Sequence, residues 1–205
     1  KGTRVTRGIQ EVVLHHTWSP TAAQYRGKAT WEAIRDYHVN ERGWSDIGYH
    51  YGIGADGSVW KLRPVTRSGA HVLNRNEHTV GVVLVGDFDV EDPVVNGLAV
   101  AGQVVGVLLS HFRLGREAIR FHREFQNKTC PGRRLALESF RDLVLGSPAG
   151  PAAGGPAQAV KVVDVATGAV VETLEVAPGG NHVADQGKVY VVSPPASPTL
   201  PPHRA

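Results

Sequence analysis

This sequence predicts an α/β fold, a mixed central β-sheet with helices packed on its faces, and three observations carry that prediction. Short apolar runs of strand length alternate, along the first 145 residues, with longer stretches of helical periodicity. One run, residues 80–85, is almost wholly apolar, as a central strand covered on both faces should be. The composition is ordinary for a globular chain, with 41% hydrophobic and 20% charged residues over 205 positions. It excludes collagen-like, coiled-coil and wholly disordered chains.

In chain order, residues 11–15 read as a strand built on Val12, Val13 and Leu14, with His15-His16-Thr17 at its end. Thr30 is placed to cap a helix that carries Trp31, Ile34, Tyr37 and His38 on one face, with Gly43 just past its end. Residues 49–53 and 58–62 flank Ala55-Asp56-Gly57, a hairpin signal. After the strand at 80–85, Asn96 precedes a long apolar helix (Leu98, Val104, Val105, Leu108, Leu109, Phe112) that should stop near Gly115. Residues 118–121 give a short strand and 135–145 a last helix. The longest apolar run, residues 97–109, is broken by Gly102, Gln103 and Gly106 and falls short of the ~18 residues of a membrane span.

A change of composition divides the chain. Four of the 13 prolines fall in residues 1–146 and nine in the 59 residues after them, while all four tryptophans precede residue 61. Residues 1–146 are the expected compact domain, 147–158 a Pro/Gly/Ala-rich linker with nothing to bury, and 159–193 a small β-rich extension of unknown role. That extension holds expected strands at 160–165, 170–176 and 188–192, with a turn at Thr167-Gly168. Residues 194–205, rich in proline, are expected to be disordered. The net charge of +3 is too mild to argue a nucleic-acid partner, though it suits approach to an anionic polymer. Residue 1 is Lys, a start consistent with a removed leader that the sequence does not display.

The single cysteine rules out an internal disulfide, so Cys130 is either a small buried hydrophobe or a working thiolate. Eight of the ten histidines lie at or before residue 122, which points to the N-terminal part for chemistry. His122 and Cys130 sit eight apart on a loop leaving a short strand, and His15 ends another strand. Strand ends in a mixed sheet converge, so two imidazoles and one thiolate could meet around a Zn²⁺ ion with a fourth position open. The bland alternative is a pair of half-buried histidines and an inert thiol.

Five fragments in register then add a resemblance: His15-His16-Thr17, the stretch from Asp46 to Tyr51, Gly69-Ala70-His71 with Asn76, the strand from Val80 to Gly86, and His122 with Lys128-Thr129-Cys130-Pro131. Over roughly residues 9–145 the chain resembles the zinc-dependent N-acetylmuramoyl-L-alanine amidases of the peptidoglycan-recognition-protein and bacteriophage-lysozyme type. The resemblance implies zinc on His15, His122 and Cys130, and a catalytic pair on Tyr49 and Lys128. It implies a peptide groove touched by His38, Arg42, Gly43 and Trp44, with His71 and Asn76 on the other wall. Gly43-Trp44 matches the pair that accompanies diaminopimelate-type peptidoglycan in recognition proteins. Some members carry a Glu in the central strand as base, but here that strand reads Val82-Val83-Leu84, which moves the role to Tyr49. His50, beside Tyr49, should point to the opposite face and pack.

The function implied is hydrolysis of the amide between N-acetylmuramic acid and L-alanine, at the cell wall, by a secreted or periplasmic bacterial enzyme or a phage lysin. A peptidoglycan-recognition module that binds without cutting is the alternative, and retention of Tyr49, Lys128 and Cys130 speaks against it. A structural or regulatory partner protein is a third reading, in which the C-terminal extension rather than the groove would matter.

Overall fold

A computed structural model describes residues 8–145, 158–164 and 170–176. Its sheet runs β5-β1-β4-β2-β3-β6-β7 and is mixed, as expected. β1 (Glu11–His16) lies parallel between β4 (Thr79–Leu84) and β5 (Ile119–Phe121). β2 (Tyr51–Ile53) runs parallel to β4 and antiparallel to β3 (Val59–Lys61). β6 (Gln158–Asp164) and β7 (Val170–Val176) form an antiparallel pair that joins β3 at Trp60 and Lys61. The expected linker, the 167–168 turn, the strand at 188–192 and the tail lie outside the described residues, apart from Gln158, which opens β6.

All six positions of β1 and of β4 are buried, because helices cover both faces. On one side Val12, Leu14, Val80, Val82 and Leu84 pack with Val100, Val104 and Leu108 of α2 (Val95–Phe112). By length and composition α2 could cross a membrane; in this fold its apolar side is a core layer, backed by α3 (Leu137–Leu145). On the other side Val83 and Val85 pack with Trp31 of α1 (Lys28–Asp36), together with Ile47 and Trp60.

Three helix limits differ from expectation, the first being that α2 opens at Val95, so Asn96 lies inside it rather than before it. Gly27 rather than Thr30 precedes α1; the Thr30 hydroxyl lies in the first turn and accepts the Arg26 N–H at 2.8 Å. α2 ends at Arg113 in the left-handed conformation (φ 55°), where its N–H bonds back to Leu109 and Ser110, and does not run on to Gly115. After α1 the chain makes one wider π turn, Tyr37–Glu41, and Gly43 at φ 65° ends it as expected, a backbone conformation that glycine takes without a side-chain clash. That turn buries His38 and leaves Tyr37 half-exposed on its outer side.

Candidate metal centre and groove

His15, next to last in β1, faces the α1 side of the sheet with its cross-strand partner Val83. β5 ends at Phe121, and His122 opens a single tight turn. The loop after it folds back, with Arg123 N–H donating to Cys130 C=O at 2.8 Å. Asp89 holds the loop from outside, accepting from the Thr129 hydroxyl and from Arg133 N–H. One donor atom each from His15, His122 and Cys130 lie within 4.8 Å of one another. Cys130 Sγ is 3.6 Å from His15 Nδ1, and the two imidazole centroids are 4.6 Å apart. The structure therefore brings these three expected residues together.

Their protonation suits a metal. Burial holds His15 well below the usual histidine value and lowers His122 as well, so both rings are neutral near pH 7. The His122 Nε2–H donates to Gln126 Oε1, which leaves the Nδ1 lone pair free of that bond. Burial is the largest cause that pushes the Cys130 thiol up to about 12, against the His16 backbone and Lys128, which pull it the other way. A cation at the cluster reverses that penalty, because a coordinated thiol loses its proton. Two neutral imidazoles and one thiol form a borderline-soft set that fits Zn²⁺ with an open fourth position.

A second group, His16 with Asp87 and Asp89, also lies within 4.8 Å. Phe88 N–H already donates to His16 Nδ1, so the neutral ring carries its hydrogen on Nε2. That nitrogen therefore carries a hydrogen and offers no lone pair to an ion shared with the carboxylates.

Beside the cluster runs an open groove of about 840 Å³. Tyr49 and Lys128 line it. The Tyr49 ring lies 5.2 Å from that of His15, and burial followed by the nearby Cys130 raises its phenol, which keeps the O–H protonated. Lys128 is exposed, two residues before Cys130. His38 and Arg42 line the groove as expected; His38 is buried, stacked on Trp44 at 4.5 Å, and accepts Gly48 N–H on Nδ1. Burial lowers His38 to about 4, so it offers a neutral Nε2–H. The Arg42 guanidinium lies 5.7 Å over the Trp44 ring, and Trp44 is also in the lining. Gly43 is not, and its part is to end the helix.

His71 and Asn76 do not line the groove, contrary to expectation. His71 is buried behind the cluster, with Nδ1 3.0 Å from His15 Nε2. The Asn76 carboxamide oxygen accepts the N–H groups of both His71 and Val72, so it pins the loop from within. His50 is packed with both ring nitrogens bonded, to Gly81 N–H and Arg67 C=O. Sequence reasoning missed Trp18, 67% exposed at the groove rim, and half-exposed Tyr37 in the same lining. A large aromatic directly after His-His-Thr and before Ser-Pro was the available signal for Trp18. Gln126 was legible only as the residue four after His122.

Fold and site together define an α/β protein that sets a three-donor cluster beside an open groove. The chain belongs to the N-acetylmuramoyl-L-alanine amidase family (Amidase_2), which it matches over residues 5–133. It is 36% identical over 149 residues to peptidoglycan-recognition protein LB of Drosophila melanogaster, a match covering 67% of this chain and 63% of that protein, just under two thirds of its length. A tyrosine-to-phenylalanine mutant of the Drosophila LB protein, solved in complex with tracheal cytotoxin, superposes with a TM-score of 0.61 at 29% identity, over 72% of this chain and 87% of that one. The Ph2119 endolysin of a Thermus scotoductus bacteriophage superposes with a TM-score of 0.59 at 29% identity, over 70% and 91% of the two chains.

Proposed function

We propose that the chain is a zinc-dependent peptidoglycan hydrolase that cleaves the amide between N-acetylmuramic acid and the L-alanine of the stem peptide. The observation that carries this reading is the convergence of His15, His122 and Cys130 next to a groove lined by Tyr49 and Lys128. His15, His122 and Cys130 would hold the ion, which supplies Lewis acidity and a water nucleophile usable near pH 7. Lys128 is the donor for negative charge that develops on the amide oxygen, a role typically worth ~3 kcal/mol. Tyr49, its phenol kept protonated, would orient the attacking water and relay its proton, giving up its own hydrogen towards the departing amide nitrogen as it takes the water's. His38, Arg42 and Trp44 hold the stem peptide along the groove, with the Arg42 fork suited to a carboxylate. Membership of the amidase family and a relative solved with tracheal cytotoxin support peptidoglycan as the ligand. The catalytic unit is residues 1–146, acting at the cell wall.

The test is product analysis after incubation with purified peptidoglycan, with and without a chelator. Released stem peptides with a free L-alanine amine, lost on chelation and restored by zinc, are expected. New reducing ends would instead identify a glycosidase, and binding without new amines would identify a recognition module.

A further inference from the structure

A line of hydrogen bonds runs away from the cluster behind His15, and its hydrogen positions follow from the far end. The Thr79 hydroxyl lies 3.0 Å from Arg75 C=O, which can only accept, and 3.3 Å from His71 Nε2, so its hydrogen is placed on the shorter bond, to the carbonyl. The same oxygen can therefore only accept from His71 Nε2. His71 then carries its hydrogen on Nε2 and presents a bare Nδ1, 3.0 Å from His15 Nε2. Two ring nitrogens at that separation share one hydrogen between them, so His15 is protonated on Nε2. Its Nδ1, facing Cys130 Sγ at 3.6 Å, keeps its lone pair.

We propose that His71, anchored by Thr79, is a positioning residue that locks His15 in the Nε2–H tautomer and thereby makes Nδ1 a metal ligand. The inference rests on the reading of the cluster as a zinc centre. Three further observations support it. His15 is 1%, His71 7% and Thr79 0% exposed, so water is excluded from replacing a missing partner. The His71 ring lies flat on the strand at Gly81, where a Cβ would come within 2.8 Å of its Cγ, so only glycine admits it. His16, His38 and His50 each use Nδ1 to accept a backbone amide. His15 and His122 instead have Nε2 held by a side chain, His71 and Gln126 respectively. Outer partners of this kind fix the tautomer and ring orientation of metal-ligating histidines.

The test uses the full chain as wild type, His71→Leu, His71→Asn and Thr79→Val. Ring ¹⁵N NMR of the metal-free proteins reads the His15 tautomer, competition with a chromophoric chelator reads the zinc Kd, and thermal melting reports folding. Wild type is expected to show His15 protonated on Nε2 before any metal is added. His71→Leu should lose that preference and raise the zinc Kd by roughly 10–100-fold. His71→Asn, whose carboxamide oxygen replaces the Nδ1 acceptor, should recover most of the affinity. Thr79→Val, nearly isosteric and so the safer fold, should weaken zinc to a smaller degree. A folded His71→Leu with the wild-type zinc Kd would overturn the lock, and so would a folded His71→Asn as weak as His71→Leu. A wild-type chain that took up no zinc would defeat the metal reading, yet the metal-free spectrum still decides the lock: His15 protonated on Nδ1 refutes it.

Discussion

His50 makes the folded state acid-sensitive by an amount that can be worked from its surroundings. The side chain is 0% exposed; Gly81 N–H donates to Nδ1 at 2.9 Å, and Nε2–H donates to Arg67 C=O at 3.0 Å. A proton on Nδ1 sets two N–H groups against each other and buries a charge near Arg63. Burial is the largest cause that lowers its pKa from 6.5 to about 4. The unfolded ring takes up its proton near pH 6.5 and the folded ring only near 4, so the unfolded state binds more protons between those values. The contribution to stability is therefore complete above about pH 6.5 and is lost as pH falls towards 4. At ~1.4 kcal/mol per pKa unit the loss amounts to about 3 kcal/mol. Urea unfolding in half-unit steps from pH 7.5 to 4.5, on wild type and His50→Gln, measures it. The variant is less stable throughout, but its stability should fall less steeply on acidification, by about one proton, or ~1.4 kcal/mol per pH unit below pH 6. His16 and His38, whose shifts do not involve His50, titrate in both proteins and cancel in the difference. Equal slopes would refute the claim that the fold holds His50 neutral.

Cys130→Ser should keep the fold but lose zinc and hydrolysis together, read by metal analysis and product release; retention of both would remove Cys130 from the ligand set. Lys128→Ala and Tyr49→Phe should keep the metal, since neither is among the three donors, while kcat falls by roughly 10²-fold or more for the lysine. Trp18 sits at φ 61°, a conformation costly for a side-chain residue by ~1 kcal/mol, with its indole two-thirds exposed at the groove rim. Trp18→Gly should therefore melt no lower than wild type yet raise KM on peptidoglycan several-fold, and an unchanged KM would leave the indole without a ligand. Arg42→Ala should narrow the expected preference for diaminopimelate-type over lysine-type stem peptides, measured as kcat/KM on matched fragments that differ in one carboxylate.

β1 and β4 were readable because the middle of a strand covered on both faces is apolar, as Val12, Val13 and Leu14 are in one and residues 80–85 are in the other. The cluster was readable for a related reason: His15 follows the apolar middle of one such strand, and His122 and Cys130 bracket a loop that leaves a second, shorter strand. His71 was not. In the sequence it is a loop histidine beside Asn76, and nothing local says that the loop tucks beneath β1 with the missing side chain of Gly81 making room. Thr30 misled because its hydroxyl is a good helix cap in isolation, whereas here it serves Arg26 N–H from within the first turn of the helix. Trp18 was missed since exposure of a tryptophan follows from a left-handed backbone, which residue type alone does not announce.

The two halves of the site differ in how firmly the fold holds them. β1 is paired with β4 along its whole length, His15 included, and with β5 as far as Leu14, so the backbone of His15 has little freedom, and His71 fixes its ring from behind. His122 and Cys130 belong to one closed loop, clamped by Arg123 N–H inside and by Asp89 outside. The opposite wall is made differently. Trp18 lies in an irregular segment, and Tyr37, His38 and Arg42 come from a π turn and the chain just after it, where one further residue in the turn redirects which side chains face inward. Changes in that wall alter what the groove grips while leaving the donors where they are. Substitutions at Trp18 or Arg42 should therefore move KM and ligand preference at constant metal content, and substitutions behind the cluster should move metal affinity first, with activity following only as the ion is lost.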